Sequence, residues 1–127
     1  MINKKKETKA YQDAFQKALK IIQQSGYDSE SIKADFEGYE QPSKLTNQAS
    51  EVSFIPDITV TSNGSKSYYE ISHKTDDATL LASKWKLLET MASVKSGTFK
   101  VFAPKGHIKF TEEFVSKNNI DAEIIKI

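Results

Sequence analysis

The sequence predicts a mixed α/β domain with elements in the order α, β, β, β, α, β, α, β, a mixed sheet flanked by helices. Three observations carry that expectation. Apolar residues recur at three- and four-residue spacing from Glu7 to Gln24 and again from Leu80 to Val94. From Ser31 to Tyr39 the pattern changes to strict alternation, the period of a half-buried strand. Asn63-Gly64 then separates two runs rich in strand-forming residues, the pairing expected of a hairpin.

The first helix places Tyr11, Ala14, Phe15, Ala18, Leu19 and Ile22 on one stripe, and Ser25-Gly26 ends it. In the first strand Ile32, Ala34, Phe36 and Gly38 alternate with Lys33, Asp35 and Glu37. Gln41 to Ser50, with Pro42, reads as a polar loop. Val52 to Thr61 and Ser67 to His73 follow as two antiparallel strands joined by residues 62–66. Thr75-Asp76-Asp77 can cap the second long helix and put negative charge at its positive end, and Gly97 closes it. Thr98 to Ala103 is a further strand, Pro104-Lys105-Gly106 a turn, Thr111 to Lys117 a short helix and Ile120 to Ile127 a last strand.

A length of 127 residues suits one domain, since single domains cluster near ~100–150 residues. Seven Phe, five Tyr and one Trp supply a core despite 28% charged residues. Residues 1–6 are polar and basic, and read as a flexible tail. Without cysteine there is no disulfide framework and no thiolate metal site, which argues against zinc. No apolar run approaches the ~20 residues of a bilayer span, so the expected location is the cytoplasm, with no membrane partner. Eighteen basic residues against seventeen acidic give a net charge of +1, a weak electrostatic footprint for nucleic acid. All the basic residues are Lys, so no guanidinium fork is present to read guanine, and base-specific recognition in the major groove is disfavoured.

Two acids stand out by position. Phe54-Ile55-Pro56-Asp57-Ile58 puts one at the start of a strand, and Tyr68-Tyr69-Glu70-Ile71-Ser72 puts another within its apolar partner. A carboxylate among Tyr and Ile is a costly placement unless it is paired or ligated. Metal-assisted cleavage of a phosphodiester needs hard oxygen ligands converging on one point, and two neighbouring strands can provide them. Taken singly, Asp57 is also readable as a turn acid after Pro56, and Glu70 as the cross-strand partner of a lysine.

With this order of elements, the Pro56-Asp57 strand, the hairpin-length spacer and Glu70 in an apolar strand resemble the PD-(D/E)XK superfamily of metal-dependent nucleases over roughly Glu7 to Ala103. The resemblance implies a restriction-endonuclease-like fold and hydrolysis of nucleic-acid phosphodiesters with Mg²⁺ or Mn²⁺. It further implies that Asp57 and Glu70 hold the metal, with the main-chain carbonyl of Ile71 as a common third ligand. Glu7, in line with the apolar stripe of the first helix, matches the acid that family members often carry there. The nucleic acid, expected to be DNA, would be held through its backbone, by a homodimer if one such small domain has too little surface. The departure is Ser72, where the family has the lysine that orients or activates the attacking water. The alternative is therefore a catalytically inactive module of the same fold, binding nucleic acid or a protein.

Two lysines are candidates to replace the missing one. Lys74 shares the strand face of Glu70 but starts about 13 Å away at ~3.3 Å per residue, against about 7 Å for position 72; it also reads as a solvated strand-end residue. Lys84 falls near the middle of a helical face formed by Leu80, Leu81, Leu87, Leu88 and Met91. Either its stem covers apolar surface while the amine reaches water, or the amine reaches the carboxylates. His73 and His107 read as surface histidines, Lys4-Lys5-Lys6 and Lys9 as solvated charge, and Trp85, Tyr68 and Tyr69 as core.

Overall fold

The computed structural model describes residues 8–127. Glu7 and the basic tail of residues 1–6 lie outside the described residues. Thr8 caps the first helix, α1 (Lys9–Gln24), by accepting the N–H of Tyr11 at 3.1 Å, and the six residues of the expected stripe are all buried. Gly26, at φ +95°, takes the left-handed position that ends α1.

The strands that follow are β1 (Ile32–Ala34), β2 (Leu45–Thr46), β3 (Ser53–Phe54), β4 (Ile58–Ser62) and β5 (Ser65–Ile71). Then come α2 (Ala78–Val94), β6 (Phe99–Ala103), α3 (Ile108–Lys117) and β7 (Glu123–Lys126). One five-stranded mixed sheet has the order β1-β4-β5-β6-β7. β4 is antiparallel to β1 and β5, whereas β5, β6 and β7 are mutually parallel, with α2 and α3 as the crossovers.

Strand alternation divides the core into two layers. Tyr69, Ile71, Ile58, Val60 and Phe102 pack beneath α1, while Tyr68, Phe99 and Val101 pack against Trp85 and Leu88 of α2 and Phe114 of α3. Among the described residues, no helix is long and apolar enough to cross a membrane.

Several expectations need correction. The run Val52 to Thr61 is not one strand: Pro56 interrupts it, and Ser53–Phe54 pairs with Leu45–Thr46 in a separate ribbon, so the polar loop 41–50 contains a short strand. The first strand stops at Ala34, and a turn at Phe36–Tyr39 replaces its second half, Tyr39 N–H bonding the Phe36 carbonyl at 3.2 Å. The hairpin is tighter than expected. Its loop is only Asn63 and Gly64, both at positive φ, and Ser62 pairs with Ser65. α3 begins three residues early, at Ile108, and β7 is confined to Glu123–Lys126.

The end of α2 also differs from the expectation. Ser96, at φ +59°, occupies the left-handed position, and Gly97 is the next residue, its N–H bonding the Ala92 carbonyl at 2.8 Å. Gly97 is required for another reason: a Cβ there would lie 1.9 Å from the Lys66 carbonyl oxygen of β5.

Candidate metal centre

Register brings the two acids together. β4 and β5 pair Ile58 with Tyr69, so one step further Asp57 stands opposite Glu70. At that step the ladder changes from main chain to side chain. The Asp57 N–H donates to Glu70 Oε2 at 2.7 Å, and the Ile71 N–H donates to Asp57 Oδ2 at 2.9 Å. Each carboxylate thus accepts a main-chain N–H from the other's strand, which fixes both where β4 begins and β5 ends.

The helices complete the cluster from either side of the sheet. The Tyr11 hydroxyl of α1 donates to Asp57 Oδ2 at 3.2 Å. From α2, Lys84 Nζ lies 3.0 Å from Glu70 Oε1, and the Trp85 indole N–H donates to the same oxygen at 3.3 Å. Asp57 and Glu70 are each 2% exposed, and the Lys84 side chain 16%. An ion pair this enclosed needs added hydrogen bonds to offset desolvation, and the Tyr11, Trp85 and main-chain donors provide them.

The electrostatics follow from burial. Desolvation, then the charge of Asp57, pushes the Glu70 carboxyl up from 4.5 to about 7, against the pull of Lys84 and the Asp57 N–H. For Lys84, burial works against the charged form, but the charges of Glu70 and Asp57 outweigh it and leave the ammonium's pKa raised. Burial and the same two acids push the Tyr11 phenol well above its ordinary value, so it remains a donor.

This has a consequence for stability. A carboxyl whose folded pKa exceeds its unfolded value contributes stability below the unfolded value, and that contribution is lost as pH rises through the folded one. In EDTA, the melting temperature is expected to fall as pH rises from about 5 to 8 through the ionisation of Glu70, and Glu70→Gln should flatten that slope. Parallel profiles for parent and variant would rule this out.

Lys84 is the lysine that stands beside Glu70, whereas position 72 is enclosed. Ser72 is fully buried on the face of the sheet carrying Glu70, where its hydroxyl meets Thr111 Oγ1 of α3 at 2.5 Å and Thr111 in turn bonds the His107 carbonyl at 2.6 Å. Position 72 is thus enclosed by α3 and holds a short hydroxyl side chain bonded to it. Lys74 lies in the exposed loop after β5, which ends at Ile71, and its N–H donates to His107 Nδ1 at 3.1 Å. The extended strand assumed for Lys74 is therefore absent.

The helical face expected around Lys84 is also rotated. The buried residues of α2 are Trp85, Leu88 and Ala92, while Leu80 is 46% exposed. Trp85 occupies the centre, packed edge-on against Phe99 and Phe114, and Lys84, one step around the helix, reaches Glu70 near the end of β5.

Tyr11 and Trp85 were not singled out as partners of the acids. The available signal was chemical: a phenol or indole on a buried stripe carries a polar atom that needs a partner. The histidines, expected on the surface, are half-buried neighbours, with ring centroids 4.6 Å apart and His73 stacked on Tyr11 at 5.7 Å.

The donor chemistry of the pair fits a hard divalent cation: two carboxylates and the Ile71 carbonyl, which in an extended strand projects to the same side as the Ile71 N–H. Among the described residues no group of three or more His, Cys, Asp or Glu converges as a metal site, and Glu7 is outside them. Comparison with family models, curated proteins and solved structures returns no match.

Proposed function

We propose that the chain is a divalent-metal-dependent nuclease of the PD-(D/E)XK kind, in which Asp57 and Glu70 hold Mg²⁺ or Mn²⁺ and Lys84 replaces the strand lysine. The observation that carries this reading is the Lys84 ammonium 3.0 Å from Glu70, beside a carboxylate fixed opposite Asp57. The restriction-endonuclease-like fold belongs to the same proposal. Its support is the succession of helix, three antiparallel strands, crossover helix and a parallel fourth strand.

Bound there, a divalent cation would polarise a phosphoryl oxygen and acidify a water. The chain's own residues have distinct tasks. Tyr11 fixes the orientation of Asp57, and Trp85 and the Asp57 N–H fix that of Glu70. Lys84 offsets negative charge developing on the phosphate, as a preorganised cation in a water-poor site can. With lysine as the sole cationic residue, DNA would be held through its backbone rather than its bases.

The near-complete burial of both acids favours a second reading, a catalytically inactive module of the same fold that binds nucleic acid or a protein. Calorimetric titration with Mn²⁺, paired with cleavage assays on single- and double-stranded DNA and RNA, separates the two. The nuclease should bind Mn²⁺ and cleave. Asp57→Asn should weaken Mn²⁺ binding by ~10-fold or more while leaving the melting temperature level or higher, since a ligand is lost and like-charge repulsion is relieved. Metal binding without cleavage of any substrate would leave the inactive module. Equal Mn²⁺ affinity in parent and variant would remove Asp57 from the site.

A further inference from the structure

We propose that a cleft between α1 and the loops after β5 and β6 holds one nucleotide of a single strand, its phosphate between Lys17 and Lys105 and its base against the rings of His73 and His107. The identity of the polymer rests on the nuclease reading; the shape and chemistry of the cleft do not.

The cleft has a volume of about 260 Å³. That is small against the ~300–1,000 Å³ of sites for drug-sized ligands, and it limits the occupant to one unit of a chain. One wall is α1, which contributes Tyr11, Asp13 and Lys17; the other is formed by His73 after β5 and by Lys105 and His107 after β6. The cleft thus opens at the carboxyl ends of parallel strands, where open α/β sheets place their ligands.

Its lining combines two chemistries. His73 and His107 are both half-buried, with ring centroids 4.6 Å apart, and His73 stacks on the buried Tyr11 at 5.7 Å, so the two imidazoles supply the π-surface that meets a base. Lys17 and Lys105 are exposed on facing walls, where ammonium groups can reach a phosphate without leaving water. Asp13, one helical turn before Lys17, disfavours a second phosphate on the α1 wall. A flat ring joined to a single anion is the chemistry of a nucleotide.

The cleft also borders the carboxylate cluster. Tyr11 both lines it and donates to Asp57, so a nucleotide bound there lies one phenol ring from the pair.

The test is fluorescence anisotropy of a labelled oligodeoxythymidylate in EDTA, which excludes metal-dependent cleavage, at several salt concentrations. Lys17→Ala and Lys105→Ala should each lower the slope of log affinity against log salt, and together by ~0.7, the value for the one single-strand phosphate they share. Lys86→Ala, an exposed lysine on α2 in the opposite layer, should change nothing. A base-free deoxyribose-phosphate strand of equal length should bind ~5-fold or more weakly, the low end of stacking one base on an aromatic ring.

The proposal is overturned if the two cleft variants keep the parent slope, or if the base-free strand binds as tightly as the oligonucleotide. Cleavage by a parent whose cleft variants bind normally would remove the cleft and keep the nuclease reading. Cleft-dependent binding without cleavage at any metal concentration would keep the cleft and remove the nuclease.

Discussion

On the proposed nuclease reading, Lys84→Met is expected to reduce cleavage by ~10²–10³-fold, the loss seen when one preorganised transition-state donor is removed. Methionine keeps most of the stem volume and deletes the ammonium that stands 3.0 Å from Glu70. Lys74→Met should change the rate little, because that residue sits in the exposed loop beyond β5. The stability of the Lys84 variant should depend on pH. Removing one member of a buried pair leaves an uncompensated charge, which costs ~3–5 kcal/mol when that charge cannot be neutralised.

Glu70 can be neutralised. Its carboxyl is already pushed up to about 7, and loss of Lys84 removes a charge that opposed the rise. The variant should therefore melt close to the parent near pH 5 and well below it near pH 9. Full activity in Lys84→Met together with loss in Lys74→Met would reassign the working lysine to the loop.

Gly97→Ala is expected to destabilise the fold by about 3 kcal/mol, the upper end of ordinary overpacking. The new methyl would meet the Lys66 carbonyl oxygen at 1.9 Å, its carbon at 2.4 Å and the Ser67 nitrogen at 2.9 Å. These are main-chain atoms of β5, so no side-chain rotation relieves the collision. The segment is also tied on either side: the Lys66 N–H bonds the Lys95 carbonyl at 3.1 Å, and the Tyr68 N–H bonds that of Thr98 at 2.9 Å.

Its neighbour should respond in the opposite sense. Ser96 holds the left-handed conformation at φ +59°, where glycine lacks the Cβ penalty, so Ser96→Gly should stabilise by up to ~1 kcal/mol. Thermal melts of both variants check the pair. A Gly97→Ala melting temperature within a few degrees of the parent would mean that β5 yields more easily than its hydrogen bonds suggest.

What was legible in the sequence was whatever depends on neighbours along the chain. The stripe of α1, the Asp77 cap of α2, which accepts the Leu80 N–H at 3.0 Å, and the Asn63-Gly64 turn are local in this sense. The turn reached furthest. A two-residue hairpin pairs Ser62 with Ser65, and counting back along both strands sets Asp57 against Glu70, so this opposition follows from the chain once the loop length is known.

The tertiary structure decided the rest, because the partners are distant in sequence. The run from Val52 to Thr61 had the composition of one strand, and only the pairing of Ser53–Phe54 with Leu45–Thr46 split it at Pro56. α2 has apolar residues on more than one side, so its wheel allowed several orientations, and the packing of Trp85 against Phe99 and Phe114 selected one. That rotation carried Lys84 to Glu70. Position 72 was likewise closed by Thr111, thirty-nine residues further along the chain, which no local pattern encodes. Local chemistry set the two acids opposite each other; contacts between distant elements determined which ammonium, phenol and indole stand around them.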